Sequence, residues 1–460
     1  MVDSLLRAAP RRSLCGWGRV APSLAQVVSV RSPEEVAELV GALARLGRTL
    51  IPRGAGRSYG DAAQNCGGVV LDLTPLAGCG PFQPGGDGRW VARVGAGTTL
   101  KEVLRRSLAH GLFLPVTPGT KLITVGGAIA ADIHGKNHVA DGSFGSWVED
   151  LKLCLPTGEL VNASRSENRE LFEATLGGMG LTGVVVEATL RFLPLPGPAL
   201  VGEVVRTANL AETAAALCSP SHRYAVAWLD LLSPLPARKV GRGVVVRSDF
   251  APSASGERFH VGPSERPRLA VPPGTPKLLN RPLVTAFNLL RWQLSPAAAE
   301  REIPFNAHFF PLDAVRHWNR LYGRKGFLQY QFVVPEEGFA GLERVVGLLR
   351  KRRVGLYFAV LKRFGQSAGG PLSFPREGFT LALDLPFEEG VNAALREADR
   401  IVAEAGGRVY LAKDVRLDPE AFAAMYPEAE RFRRLRAEID PAQLFQSDLA
   451  RRLGLLEAAG

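Results

Sequence analysis

The sequence predicts an α+β fold whose second half forms an antiparallel sheet flanked by helices. In the first half, apolar residues at helical spacing alternate with short strand-like runs, and glycines cluster between them. In the last third, strand-like runs at 327–335, 356–365 and 378–387 alternate with helical segments at 338–351 and 390–405. A proline-rich stretch at 193–198 lies between the halves, and we place a domain boundary there because proline interrupts helices and central strands.

The first helix is marked by a capping box. Ser32 is followed by Pro33 at the first helical position and by Glu35 three residues after the serine. Apolar residues then recur at helical spacing until Gly47, where the helix ends. Strand-like runs follow at 48–51, 67–73 and 90–97, and Thr99 begins a second helix that extends to residue 110.

A third helix, at 167–176, precedes three glycines with the spacing G-x-G-x-x-G, namely Gly178, Gly180 and Gly183. In a dinucleotide-binding βαβ unit, this motif follows a strand and opens a helix. Here it follows a helix and opens a strand at 184–190, so we reject a nicotinamide site. No Walker A sequence occurs in the chain either.

Residues 231–304 form a proline-rich, basic and weakly periodic segment. It carries eleven Lys and Arg residues against five Asp and Glu residues. Its net charge of +6 is about half of the net charge of the chain, which is +11. Such a segment is typical of a mobile loop or lid over a site, and its charge would attract a phosphate-bearing substrate or an anionic membrane surface. The alternative is a solvated loop in an arginine-rich chain, and the pattern alone favours neither.

Composition excludes several classes of protein. The five cysteines are scattered without C-x-x-C spacing, so we expect neither a disulfide framework nor a metal site. This use of cysteine fits a protein in a reducing compartment. The sequence has no signal peptide and no run of about 18 apolar residues, so we expect a protein that is cytoplasmic or peripheral on the inner membrane. The basic residues are not interleaved with aromatic residues, so the sequence gives no indication of a nucleic-acid partner.

The stretch 116–152 is dense in glycine and holds His134 and His138. Glycine is common where the backbone turns sharply or lies against a ligand. Small residues at 126–131 would let successive main-chain N–H groups surround a phosphate or a planar ring. The alternative is a glycine-rich surface loop, which the apolar residues within the stretch disfavour.

Several long motifs resemble known flavoenzymes. The segments RGAGRSYGDAAQN at 53–65, 116–138 and GGMGLTGVV at 177–185 resemble the FAD-binding domain of vanillyl-alcohol-oxidase-type oxidoreductases. More narrowly, DIHGKNH, GFLQYQF, LKRFG, RVYLAKD and SDLARRL resemble the decaprenylphosphoryl-β-D-ribose 2′-oxidase family. The resemblance implies a two-part, PCMH-type FAD-binding domain at 1–195 and 408–460. These parts would enclose a substrate domain at 196–407, with the mobile loop at about 231–304.

The resemblance also implies which residues hold FAD. Main-chain N–H groups at 53–59 and 117–128 would surround its pyrophosphate and ribityl chain, and 180–184 would contact its adenosine end. Covalently flavinylated relatives commonly carry a histidine just after the R-G-x-G glycines, where this chain has Arg57, Ser58 and Tyr59, so we expect non-covalent FAD. The implied cofactor residues are Arg53, Gly54, Ala55, Gly56, Arg57, Ser58, Tyr59, Thr117, Pro118, Gly119, Thr120, Val125, Gly126, Ala128, Ile133, His134, Asn137, Gly180, Gly183, Val184, Tyr410 and Lys413.

Lys413 is the strongest catalytic candidate. It lies in VYLAKDV, an otherwise apolar, strand-like run, where a lysine needs either a partner or a cavity. Neighbours on a strand face opposite ways, which disfavours Asp414 as its partner. By resemblance, Lys413 lies against the flavin and the substrate, where a cation stabilises developing negative charge. A base must also take the hydroxyl proton, and Lys413, Tyr59 and His134 remain alternatives.

Besides Lys413, five residues are candidates for binding substrate. Gln329 and Gln331 share one strand face, which is either solvated or, by resemblance, part of a sugar pocket beside Lys362. By resemblance, His134 and Lys136 would lie beside the isoalloxazine ring and the substrate. The alternative is that His134 and His138 are purely structural histidines. Ala382 stands where some family members carry a cysteine, so we expect no sensitivity to thiol-directed ligands.

The resemblance implies FAD-dependent oxidation of a secondary alcohol, the ribose 2′-hydroxyl of a polyprenylphosphoryl sugar, to a ketone. This is the oxidative half of an epimerisation that supplies cell-wall arabinan precursors, so an NADH-dependent short-chain reductase is the implied partner, and contact with a membrane surface is expected. Two alternatives remain: an oxidase of a free alditol or aldonolactone, and a non-catalytic flavoprotein that binds polyprenyl phosphates.

Overall fold

The computed structural model describes residues 6, 8–219, 221–234, 236, 239–252, 269–367 and 369–456. The helices in this part of the chain are α1 (Pro33–Arg45), α2 (Leu100–Ala109), α3 (Val125–Ala130), α4 (His138–Asp141), α5 (Arg169–Thr175), α6 (Leu210–Leu217), α7 (Arg281–Leu294), α8 (Phe305–Phe309), α9 (Phe339–Lys351), α10 (Val391–Glu404), α11 (Pro419–Met425), α12 (Ala429–Ile439) and α13 (Asp448–Arg452).

The strands form four sheets and confirm the predicted α+β class. They are β1 (Arg11–Leu14), β2 (Ser23–Ser29), β3 (Leu50–Arg53), β4 (Val69–Asp72), β5 (Gln83–Pro84), β6 (Trp90–Gly95), β7 (Leu112–Phe113), β8 (Val148–Cys154), β9 (Leu160–Ser164), β10 (Val184–Pro194), β11 (Leu200–Thr207), β12 (Tyr224–Asp230), β13 (Arg242–Phe250), β14 (Leu269–Ala270), β15 (Ala298–Glu302), β16 (Val315–Arg316), β17 (Phe327–Val334), β18 (Phe358–Phe364), β19 (Gly378–Pro386) and β20 (Arg408–Val409).

The first half builds two sheets. One has the order β1-β2-β4-β3, in which β2, β4 and β3 run parallel, and the other has the order β5-β6-β10-β8-β9 with antiparallel pairs. Helix α1 begins as the capping box predicts, because the Ser32 hydroxyl accepts a hydrogen bond from the Glu35 N–H group. The glycines after α5 lead into strand β10, with φ of +77° at Gly180 and +150° at Gly183, which agrees with the rejection of a Rossmann motif.

The second half builds an eight-stranded sheet with the order β15-β11-β13-β12-β18-β19-β17-β20. Every pair in it is antiparallel, as the sequence predicts. Helices α6, α9 and α10 pack against this sheet. In the register of β17 and β19, Gln329 lies opposite Asp384 and Gln331 lies opposite Ala382.

The C-terminal residues return to the first sheet. The Leu50 N–H group donates to the Leu444 carbonyl oxygen at 2.8 Å, and the Asp448 carboxylate accepts from the Cys66 N–H group at 2.8 Å. The Arg452 guanidinium pairs with Asp61 at 2.9 Å and with Asp414 at 2.8 Å. These contacts attach the last helix to the segment that follows β3.

Two local predictions differ from the structure. Within 231–304, the described residues include strand β13 and helix α7, where the sequence suggests a weakly periodic loop, and 253–268 lies outside the described residues. Strand β20 is only two residues long, and Lys413 lies in a 3₁₀ turn, Leu411–Lys413. The strand-alternation argument against Asp414 therefore does not hold, although the Asp414 carboxylate does pair with another residue, Arg452.

Among the described residues, we find no helix with the length and apolar character needed to cross a bilayer.

Candidate active site

A cavity of about 910 Å³ lies where the glycine-rich segments of the first half meet the eight-stranded sheet. This volume is at the upper end of the range for ligand pockets. Its walls come from 52–59, 118–124 and 179–185 on one side, and from strands β17, β18 and β19 with the Leu411–Lys413 turn on the other. The cavity therefore brings together segments that are more than 350 residues apart in sequence.

Glycine is required where the cavity walls meet. A Cβ atom on Gly54 would lie 2.0 Å from Thr124 Oγ1, so only glycine lets these two segments pack. Gly56 has φ of +62°, a left-handed conformation that side chains disfavour, and a Cβ atom there would lie 2.5 Å from the Arg53 guanidinium. Two segments that the sequence singled out thus pack directly against each other at the cavity wall.

This surface fits FAD by its donor chemistry. Among the described residues, the buried Arg57 Nε atom at the cavity wall has no hydrogen-bond partner, so a donor remains available where a pyrophosphate would lie. The Arg57 guanidinium lies 4.1 Å from the centre of the Trp17 ring. Because a dinucleotide is anionic and partly aromatic, an arginine with an unbonded donor and an aromatic ring at one wall suit it.

His134 is held by two side chains from the sheet. Its Nε2 atom lies 2.9 Å from Gln331 Nε2, and its Nδ1 atom lies 2.9 Å from Lys362 Nζ. The Thr380 hydroxyl donates to the Phe332 carbonyl oxygen, so it accepts from the Gln331 amide, whose second hydrogen then points to His134 Nε2. With Nε2 as acceptor, a neutral imidazole carries its proton on Nδ1 and donates it to Lys362, which accepts only as a neutral amine.

The protonation states of these groups agree with that network. Burial lowers the pKa of His134 well below its usual value, with further lowering by Lys362, so the imidazole is neutral. Burial, together with the charges of neighbouring Lys136 and Lys413, lowers the pKa of Lys362 to about 7. A neutral lysine amine is therefore available near physiological pH.

Lys413 lines the same cavity as His134 and Lys362. Its Nζ atom is 3.7 Å from the centre of the Tyr59 ring, a cation–π distance. Burial lowers the pKa of Lys413 to about 7, and the Asp384 carboxylate partly opposes this change. Burial raises the pKa of Tyr59 well above its usual value, so its phenol keeps its proton near neutral pH and does not serve as a base.

Most residues predicted for the site line the cavity. From the cofactor set these are Arg53, Gly54, Ala55, Gly56, Arg57, Ser58, Tyr59, Pro118, Gly119, Thr120, Gly126, Ile133, His134, Gly180, Gly183, Tyr410 and Lys413. From the substrate set, Gln329, Gln331 and Lys362 join them, and Ala382 lies there as well.

The remaining predicted residues lie outside the cavity wall. Thr117, Val125, Ala128, Asn137 and Val184 are buried behind it. Lys136 Nζ lies 5.9 Å from the centre of the Phe309 ring, and burial lowers its pKa to about 7. His138, left open as a structural histidine, accepts a hydrogen bond from the Gly365 N–H group at 3.2 Å and packs against Phe364.

Sequence reasoning missed two carboxylates at the site. Asp384 is buried and accepts a hydrogen bond from Gln329 Nε2 at 2.6 Å, and burial raises its pKa to about 6. Asp313 accepts hydrogen bonds from Thr120 Oγ1 at 2.6 Å and from the Lys121 N–H group at 2.9 Å. A lone charge in an apolar strand was the signal for Lys413, and the same signal in LALDLP would have found Asp384.

Two protein-family models match the chain. A model described as FAD binding domain matches 24–164, which contains the glycine-rich wall of the cavity. A model described as D-arabinono-1,4-lactone oxidase matches 383–453, which contains Lys413 and the C-terminal helices. Together with the unbonded Arg57 donor at the cavity wall, the first match shows that the cofactor is FAD.

Curated relatives extend this similarity over nearly the whole chain. Decaprenylphosphoryl-β-D-ribose oxidase of Mycolicibacterium smegmatis is 37% identical over 97% of this chain and 98% of its own length. A protein of Streptomyces coelicolor, named only as an uncharacterised protein in the mprA 5′ region, is 39% identical over 78% of this chain and its entire length. D-lactate dehydrogenase of Anaerostipes hadrus is 27% identical over 43% of this chain. The chain therefore belongs to the decaprenylphosphoryl-β-D-ribose oxidase family and is an FAD-dependent oxidoreductase.

Proposed function

We propose that the protein oxidises the ribose 2′-hydroxyl of a polyprenylphosphoryl ribose to a 2′-ketone. The observation that carries this proposal is the convergence of His134, Gln331, Lys362 and Lys413 on one cavity beside the glycine-rich wall. Bound FAD supplies the redox chemistry by accepting a hydride from the carbinol carbon. The similarity to the Mycolicibacterium enzyme supports ribose as the sugar and a polyprenyl phosphate as its carrier.

Lys413 is the base in this proposal. Its pKa of about 7 leaves a substantial neutral fraction at physiological pH, as a general base requires. On taking the hydroxyl proton at Nζ, the ammonium would be stabilised by the Tyr59 ring and by the nearby Asp384 carboxylate. The other candidates are less suited, because Tyr59 keeps its proton and both ring nitrogens of His134 are engaged.

Gln329 and Gln331 are the proposed sugar contacts. Each donates from Nε2 to a protein group, Gln329 to Asp384 and Gln331 to Thr380, so both amides are fixed in orientation. A fixed amide recognises a hydroxyl group better than a mobile one, because less side-chain entropy is lost on binding. Lys362 would hold His134 in place as the neutral acceptor of its Nδ1 proton.

Contacts between the two ends of the chain support the proposed domain arrangement. Residues 1–195 and 408–460 would form the FAD-binding domain, and 196–407 the substrate domain. The hydrogen bonds between β3 and the C-terminal segment, and the pairs of Arg452 with Asp61 and Asp414, support joining the two chain ends in one domain.

The product suggests a partner. A 2′-ketosugar retains its lipid phosphate, and hydride delivery to the opposite face of the carbonyl would complete an epimerisation at that carbon. We therefore include an NADH-dependent short-chain reductase as the functional partner, at the membrane where a polyprenyl-linked sugar resides.

An anaerobic absorbance titration tests the proposal. The purified holoprotein would receive a short-chain polyprenylphosphoryl ribose in one cuvette and a free alditol or aldonolactone in another. We expect the lipid-linked ribose alone to bleach the flavin band. Bleaching by the alditol or lactone alone would replace the proposal with a free-sugar oxidase, and binding of the lipid without bleaching would leave a non-catalytic flavoprotein.

A further inference from the structure

Helix α7 carries an exposed apolar stripe. Leu283, Phe287, Leu290 and Leu294 follow one another at spacings of four, three and four, so they lie on one helix face. Their exposed fractions are 53%, 45%, 54% and 81%. Half of the large apolar side chains that the described residues leave exposed lie between Leu278 and Leu294. Concentration on one helix, rather than scatter, is typical of a contact surface.

The helix itself is firmly attached to the protein. Val284 is buried in a cluster with Tyr59, Tyr322 and Phe327. On the same side, the buried Asn288 side chain donates to Asp230 at 3.1 Å, and Trp292 donates from its indole nitrogen to the Thr207 carbonyl oxygen at 3.2 Å. The stripe is therefore a face of an anchored helix, and its exposure does not arise from a loosely held segment.

The charged residues of α7 itself, Arg281 and Arg291, are both cations. The stretch 271–295 contains no carboxylate, and Lys277, just before the helix, pairs with Glu388. Two copies of the chain packed through this stripe would bring like charges together, which disfavours a self-association surface. Apolar residues flanked by cations instead match an anionic bilayer, in which the head groups meet the cations and the acyl chains meet the stripe.

We propose that α7 lies in the plane of an anionic lipid bilayer, with Leu283, Phe287, Leu290 and Leu294 inserted among the acyl chains. With 14 residues the helix is about 21 Å long, shorter than the roughly 30 Å of a bilayer core, so it rests in the interface. This inference rests on the proposed function only in that the substrate is a membrane lipid. The cluster that anchors α7 contains Tyr59, which also lines the cavity, so docking would bring the cavity close to the lipid surface.

Vesicle flotation of the holoprotein tests this. The probes are vesicles of phosphatidylcholine alone and with about 30% phosphatidylglycerol, at about 50 mM and about 500 mM salt. The variant L283Q/F287Q/L290Q/L294Q removes the stripe while keeping a residue that favours helix. The matched control, L24Q/L46Q, removes two leucines that are equally exposed elsewhere.

We expect the wild type and the control to bind the anionic vesicles at low salt, and the stripe variant to bind them at least about tenfold more weakly. Flavin content and bleaching by a short-chain, water-soluble substrate should be the same in all three proteins, which shows that the variant is folded. Equal vesicle binding by the stripe variant, or no binding by the wild type, would overturn the proposal. A wild-type dimer that the stripe variant loses would also overturn it, in favour of a second copy.

Failure of the proposed oxidation can be distinguished from failure of the proposed membrane contact. Vesicle binding without any bleaching by the short-chain substrate would reject the proposed oxidation and leave the membrane contact intact. Bleaching without vesicle binding would do the reverse.

Discussion

Replacing Lys413 by methionine should remove both the base and the pH dependence of the reaction. With a pKa of about 7, Lys413 is about 9% neutral at pH 6 and about 97% neutral at pH 8.5. Since kcat/KM reports ionisations of the free enzyme, it should rise at least about tenfold over this range in the wild type. The K413M variant should lose about 10²- to 10⁴-fold in kcat/KM, and its residual rate should not follow this ionisation.

The assay is anaerobic stopped-flow reduction of the bound flavin, with flavin content measured beforehand. Lys362 shares a pKa of about 7 with Lys413, so K362M is the informative companion. It removes the partner of His134 and should lower kcat/KM by about tenfold while keeping the rise with pH. K325M, which alters an exposed lysine, is the control. A K413M protein that keeps the rise, or more than about a tenth of the wild-type rate, would refute the assignment of Lys413 as base.

Three further outcomes are expected. Acid precipitation should release all the flavin into the supernatant, since no histidine follows the glycines at 54–56; flavin that stays with the protein would contradict this. R452M should lower the free energy of unfolding in urea by about 3 kcal/mol, because Asp61 and Asp414 lose a buried partner. The control R434M alters an exposed arginine and should change this free energy little. Equal stability of the two variants would refute the stabilising role of Arg452. Thiol reagents should not inhibit the wild type, because no cysteine is among the described cavity-lining residues, whereas A382C should become sensitive; inhibition of the wild type would contradict this.

Local hydrogen-bonding rules made the helix starts predictable. Ser32 and Thr99 each accept a bond from the N–H group three residues later, and this depends on nearby sequence alone. The glycine segments were recognisable for a related reason, since a close backbone approach excludes a Cβ atom. That Gly54 meets Thr124 in particular was beyond sequence reasoning, because it depends on how two distant segments pack.

Helix α7 was missed for a physical reason. In most surface helices the apolar face is the buried one, so the apolar period predicts the contact with the core. In α7 the most apolar stripe is exposed, and the buried positions include Asn288, whose partner Asp230 lies 58 residues away. The cap at Asn280 followed by Arg281 and Pro282 was the local signal that was available for the start of this helix.

Three lysines lie in one buried region, two at the cavity wall and Lys136 behind it. Lys136, Lys362 and Lys413 each have a pKa lowered to about 7 by burial, and Asp384 is the carboxylate that acts on Lys413. Because removal of buried charge from water is costly, such a cluster is tolerated when its members are partly neutral. An anionic phosphate beside Lys136 would supply negative charge and favour the protonated form of that lysine. Lys362 and Lys413 have to stay neutral in the substrate complex, the first to accept the His134 proton and the second to take the hydroxyl proton, so the proposed reaction requires the phosphate to lie away from both.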